Sequence, residues 1–258
     1  MRAVPFLMYH ELLAPGMTPA AHDAGYTRYV LTADTFRQHL EILRELGCNG
    51  TDVTGALTGD LACATAITFD DGCLSDLLVA APALTEFGFR ATFYVTVAHL
   101  GRPGYLTQEQ LRELASQFEI GSHGMTHSYM DELSDAQVRS QLADSRAMLQ
   151  DLTDHAVMHF SCPGGRWTPA VGRLAREIGY ATVTDSRPVS FSPGSDPWRI
   201  GRYAVTTSVQ PAHVRSLAES GRWAGAGMRY RILSTAKGVL GNRLYDGARG
   251  MFLRMRGG

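Results

Sequence analysis

Ala66-Ile67-Thr68-Phe69-Asp70-Asp71-Gly72 is a short, β-prone apolar run that ends in two adjacent acids and a glycine. Such a run reads as a buried strand whose C-terminal end presents both carboxylates. Two carboxylates buried side by side raise one pKa or demand a counter-charge, and a divalent metal bound by one of them supplies that charge. A second short apolar stretch, Phe118-Glu119-Ile120, leads into Gly121-Ser122-His123-Gly124-Met125-Thr126-His127. The His-x3-His spacing lets two ring nitrogens meet on one ion. Neutral imidazoles plus one carboxylate leave a coordination position open for water, the arrangement of a catalytic rather than a structural zinc site. Each motif alone is weak, because Asp-Asp-Gly is often only a turn or a helix cap. Together, each at a strand end in one βα series, they read as the site of a metal-assisted hydrolase.

Outward from these motifs the chain alternates strand and helix. Helical patterns span Ala33 to Leu46, Leu74 to Phe87, Gln108 to Phe118, Asp135 to Leu152 and Pro169 to Ile178, and β-rich segments include Arg90 to Val97 and Tyr180 to Thr184. Alternation of this kind predicts a parallel sheet. Thr107 with Gln110 and Ser134 with Gln137 have capping-box spacing and mark two helix starts. In a βα barrel the loops at the C-terminal strand ends gather the catalytic groups, and Asp70, His123 and His10 all fall at such ends. The segment 11–31, with Pro15, Gly16, Pro19 and Gly25, reads as a long loop after His10, of a length often used for substrate lids.

Thr68-Phe69-Asp70-Asp71-Gly72 and His123-Gly124-Met125-Thr126-His127 resemble the first two motifs of the polysaccharide deacetylases, the NodB-homology enzymes of carbohydrate esterase family 4. The resemblance covers most of residues 1–205. It implies an α/β fold, a distorted (β/α)7-type barrel of the NodB-homology kind. It also implies Asp70 as catalytic base, with Asp71, His123 and His127 as ligands of a divalent metal, Zn2+ first, with Co2+, Ni2+ or Mn2+ as alternatives. The opening Val4-Pro5-Phe6-Leu7-Met8-Tyr9-His10 resembles the start of the permuted poly-N-acetylglucosamine deacetylases, which implies His10 as general acid. The Leu-x-His motif of the unpermuted enzymes is absent; the nearest histidine, His213, lacks the preceding Leu.

The later motifs match in part. Phe160-Ser161-Cys162-Pro163-Gly164-Gly165-Arg166 occupies the place of the family's Pro-Gly loop, with Ser161 or Cys162 where relatives carry Arg or Tyr. Asp196-Pro197-Trp198-Arg199-Ile200-Gly201-Arg202 resembles the fourth motif. Pro163, Gly164, Arg166, Trp198 and Arg202 are therefore the candidate substrate-binding or orienting residues. Arg166 or Arg202 would hold the base ionised, and Trp198 would wall an acetyl pocket or simply pack in the core.

A chain of 258 residues, 45% hydrophobic with a formal charge of -1, suffices for one large α/β domain and offers no global argument for nucleic acid. Cys48, Cys63, Cys73 and Cys162 show no Cys-x2-Cys spacing, which argues against a zinc ribbon, and reduced thiols are expected. No signal peptide and no membrane-spanning run are seen, which predicts a cytoplasmic enzyme or a chain lacking its leader. From Gly221 onward eight Arg or Lys stand against one acid, whereas residues 1–220 carry sixteen against twenty-four. Met228, Ile232, Ala236, Leu240 and Leu244 recur there at helical spacing. Residues 1–220 are thus expected as the catalytic domain. Residues 221–258 are expected as a basic helical extension, packed on the barrel or lying on the inner face of a membrane. The expected substrate is an N-acetylated amino sugar in a glycan or a lipid-linked precursor. The rival readings are a related amide or cyclic-imide hydrolase and an inactive carbohydrate-binding homologue.

Overall fold

The structure, a computed structural model, describes residues 3–58, 63–192 and 194–223. Its strands are β1 (Phe6–Tyr9), β2 (Leu12–Leu13), β3 (Leu31–Thr32), β4 (Asn49–Thr51), β5 (Ala64–Asp71), β6 (Thr92–Val95), β7 (Glu119–Ser122), β8 (His159–Ser161), β9 (Thr182–Thr184) and β10 (Tyr203–Ala204). Its helices are α1 (Ala24–Thr27), α2 (Ala33–Glu45), α3 (Val53–Thr58), α4 (Ala81–Phe87), α5 (Gln108–Ala115), α6 (Asp135–Thr153), α7 (Pro169–Ile178) and α8 (Pro211–Ser220). The main sheet runs β10-β1-β5-β6-β7-β8-β9, all parallel, and β4 pairs with the start of β5. Ile200, just ahead of β10, pairs in parallel with Thr184 of β9. The sheet thereby curls back on itself as the distorted barrel that the alternation and the resemblance lead one to expect.

Strand β5 shows how the sequence positions the site. Successive side chains of a strand point to opposite faces. Phe69 faces outward, stacked between Tyr9 at 5.3 Å and Phe93 at 4.9 Å, with Phe36 of α2 set edge-on to it at 5.5 Å. Thr68 and Asp70 therefore face inward, where both meet Arg202. The whole strand is buried but for its first residue, as expected of a parallel strand covered on both faces. Both capping boxes are present, at the N-termini of α5 and α6. Helix α4 is preceded by a wider π turn, Asp76–Ala80, where a single helix from Leu74 was expected.

Two expectations are corrected. Segment 11–31 is not an irregular loop: β2 pairs with β3, α1 lies between them, and the Glu11 carboxylate accepts the Ala20 N–H. The cysteines are not all reduced, because Cys48 and Cys63 form a disulfide with Cα atoms 4.7 Å apart. Asn49 lies opposite Ala64 in the β4–β5 ladder, so the residues just before them face each other. Disulfides persist in oxidising compartments, so one support for a cytoplasmic location falls away. Cys73 and Cys162 are free and buried, and burial raises both thiols well above their ordinary pKa, which suits packed residues rather than nucleophiles. Among the described residues no helix is long and apolar enough to cross a membrane. The expected basic helical extension lies almost wholly outside the described residues.

The buried imidazole of His39 on α2 gives a pH prediction. Its Nδ1 lies 3.0 Å from the Tyr9 hydroxyl, and burial pushes its pKa down to about 4. The unfolded chain takes up that proton near its ordinary pKa and the folded one does not. Stability is therefore full above about pH 6.5 and falls as the pH drops toward 4. Urea unfolding at pH 7 and pH 5 should show a loss of about 2 kcal/mol from this group. His39→Phe should shrink the pH difference by that amount, and an unchanged difference would remove His39 as its source.

Candidate metal centre and active site

The β1–β5 register aligns Tyr9 with Phe69, so His10 and Asp70 leave neighbouring strands at the same level. Asp70 is 2% exposed and lies against a fully buried arginine. Arg202 Nη1 donates to Asp70 Oδ1 and Nη2 to Oδ2, both at 2.7 Å, in a two-pronged pair. Burial would raise the Asp70 pKa, but Arg202 and the nearby His123 and His10 outweigh it and hold the carboxyl below its usual range. Ser161 completes the clamp: its hydroxyl accepts from Arg202 Nη2 at 2.7 Å and donates to Asp70 Oδ2 at 3.2 Å.

Beside this pair, ligand atoms of Asp71, His123 and His127 all lie within 4.8 Å of one another. Asp71 Oδ1 is 3.5 Å from His123 Nε2 and 3.3 Å from His127 Nε2, and it is buried without a well-aligned hydrogen bond. His123 Nδ1 meets the Ser161 carbonyl at 2.9 Å. That contact makes Nδ1 the protonated nitrogen and leaves the Nε2 lone pair facing Asp71. Burial lowers His123 to about 4, so it is neutral at pH 7, as a ligand must be. Burial also acts to lower His127, but the Asp71 carboxylate outweighs it and the net shift is upward. Burial would raise Asp71, yet the imidazoles of His127, His10 and His123 drive it strongly down. Asp71 and His127 have φ values of +86° and +59°, left-handed backbone that non-glycine residues seldom adopt. Among the described residues the one other case is Asp154, at the C-terminal cap of α6.

His10 sits at the same strand-end cluster. Its ring packs on Tyr29 at 4.4 Å, and its Nδ1 is buried without a partner. Burial lowers its pKa, while the negative charges of Asp71 and Asp70 pull the other way.

Residues 62–183 match the polysaccharide deacetylase family. Just under half of the chain is thus similar to the polysaccharide deacetylases. It is similar to the peptidoglycan-N-acetylglucosamine deacetylase of Bacillus cereus, with 32% identity over 125 residues, or 46% of this chain and 54% of that protein. The chain spans about half the length of the curated relatives it matches. In fold it is similar to the Streptococcus pyogenes deacetylase PplD in complex with acetate, with a TM-score of 0.72 at 20% identity, over 85% of this chain and 98% of that one. IcaB from Ammonifex degensii gives a TM-score of 0.70 at 24% identity, over 88% of this chain and 98% of that one.

The remaining candidates separate into near and far. Pro163 and Gly164 form a tight turn directly after β8, at the site end of the sheet. Arg166 pairs with Glu132 at 2.7 Å and lies under the Tyr129 ring, 3.6 Å from its centroid, so Arg202 and not Arg166 clamps Asp70. Trp198 is not at the site. Its indole Nε1 donates to the Tyr180 carbonyl, just ahead of β9, and Arg176 of α7 covers its ring. It therefore packs at the opposite end of the strands from the acids, which removes it as a wall of an acetyl pocket.

Several residues that motif reading missed stand around the candidate site. His99 stacks on His127 at 5.8 Å and on Tyr105 at 4.4 Å, and Tyr29 backs His10. Tyr129 lies 6.4 Å from the His127 ring. None of these carries a spacing signal of its own. Ser161 was visible only as a departure from the family pattern, and its hydroxyl and carbonyl tie Asp70 to His123.

Proposed function

We propose that this protein is a metal-dependent hydrolase that removes the acetyl group from an N-acetylated amino sugar in a glycan. The observation that carries this reading is the pairing of an arginine-clamped carboxylate, Asp70, with the adjoining Asp71, His123 and His127 donor set. Asp71 Oδ1, buried and lacking a well-aligned hydrogen bond, is the group a cation would satisfy, and one carboxylate with two imidazoles suits zinc. A divalent ion held there would polarise the amide carbonyl and acidify the attacking water. Asp70, kept ionised by Arg202, takes the proton of that water. The amide nitrogen cannot leave as an anion; His10, entering as imidazolium, donates its own proton to it, and the proton held by Asp70 leaves through solvent to reset both groups. The lowered pKa of His10 makes its imidazolium a stronger acid. One amide and one water thus become acetate and a free amine.

The test is acetate release from N-acetylglucosamine oligomers before and after chelation. The chelated protein should be silent, and added Zn2+ should restore it. His123→Ala should lose bound metal together with activity. Metal binding without acetate from any amino sugar would favour a cyclic-imide or other amide hydrolase, and the absence of both metal and activity would favour a carbohydrate-binding homologue.

A further inference from the structure

We infer that Tyr129 is a sugar-stacking platform at the mouth of the site, the residue that grips the neighbour of the sugar being deacetylated; this rests on the deacetylase reading above. The three candidate ligands are unequally buried. The side chains of Asp71 and His123 are 9% and 2% exposed and that of His127 is 34% exposed, so the site opens on the His127 side. Tyr129 stands at that opening, 6.4 Å from the His127 ring, and at 36% it is one of the few large apolar residues left exposed among those described.

The ring is held, not loose. Arg166, only 8% exposed, supports one face with its guanidinium 3.6 Å from the ring centroid, and Glu132 fixes that guanidinium in turn. Because the arginine is buried beneath the ring, the accessible surface of Tyr129 is its outward face. Gly164 fixes the edge: a Cβ there would lie 2.7 Å from Tyr129 Cε1, and its φ of +62° also favours glycine. The Pro163-Gly164-Gly165-Arg166 motif, which does not orient Asp70, thus acquires a role as the support of this aromatic plane.

A rigid aromatic face with no ordering left to do binds apolar surface at low entropic cost. The C–H face of a pyranose is such a surface. Tyr129 stands beside His127, the most exposed of the three candidate ligands, so it is assigned to the residue next to the one being deacetylated. It acts on binding of the longer chain and not on the chemistry.

The test compares Tyr129→Ala and Tyr129→Phe with wild type on N-acetylglucosamine and on its pentamer, following acetate release, bound metal and calorimetric binding of the pentamer. Tyr129→Ala should raise KM and Kd for the pentamer about tenfold, the loss of one good aromatic contact, with kcat, metal content and monomer kinetics unchanged. Tyr129→Phe should restore wild-type values, since the ring and not the hydroxyl does the stacking. Equal pentamer affinity in the alanine variant, or equal losses on monomer and pentamer, would overturn the platform. If wild type releases no acetate yet binds the pentamer, and Tyr129→Ala weakens that binding, the deacetylase reading fails and the platform stands. If wild type does not bind the pentamer at all, the platform fails as well.

Discussion

Asp70→Asn should silence acetate release by about a thousandfold or more while leaving the bound metal in place. A positioned general base contributes on the order of 10²–10⁴ in rate, and an amide of the same shape cannot take a proton at neutral pH. Asp71, His123 and His127 are untouched by the change, so metal content separates loss of the base from loss of the site. The substitution also leaves Arg202, fully buried, without a full counter-charge. Breaking one side of a buried ion pair costs about 3–5 kcal/mol, so the variant must be shown to be folded by circular dichroism before its rate is read. A folded, metal-loaded Asp70→Asn with activity within tenfold of wild type would remove Asp70 as the base.

Arg202→Met should be the most destabilising single change in the site, by about 3–5 kcal/mol in urea unfolding at pH 7, because it leaves the Asp70 carboxylate buried with no guanidinium. The sign with pH follows from the direction of the Asp70 shift. Its folded pKa is depressed, so its contribution to stability is present above the ordinary carboxylate pKa and is lost as pH falls through the lowered value. Removing Arg202 raises that pKa. The acid limb of the pH–rate profile should therefore move to higher pH, and the rate deficit should be deeper at pH 5.5 than at pH 8. Arg202→Lys keeps the charge but not the fork, and should fall between the two. Combining Arg202→Met with Asp70→Asn should recover part of the stability lost by either alone, because neither charge is then stranded. Additive losses in that cycle would mean that the pair is not coupled.

The chemistry-bearing parts of this fold are legible in the sequence where periodicity and spacing coincide. Strand β5 announces itself through an apolar run ended by Asp-Asp-Gly, the boundaries of α2 and α7 follow from their helical patterns, and the Ser134–Gln137 box marks the start of α6. Asn49-Gly50-Thr51 carries no strand signal, and without β4 the partnership of Cys48 with Cys63 is invisible. The clamp on Asp70 was narrowed to two arginines. Only the curl of the sheet, which carries β10 beside β1, decides between them. Trp198 shows the opposite case: a residue in a motif-like stretch can lie at the wrong end of a barrel, because motif order says nothing of which strand end a connecting turn occupies. Tyr129 and His99 have no pattern to betray them, since their positions depend on how loops fold over the strand ends.

The left-handed backbone at Asp71 and His127 bears on how this sequence can drift. Glycine would adopt both conformations without strain, and replacing an L-residue at such a point relieves about 1 kcal/mol or more. Folding alone thus favours glycine at two positions where the proposed metal site would require a carboxylate and an imidazole. A lineage released from the need for a metal there would gain stability by giving up these two side chains first.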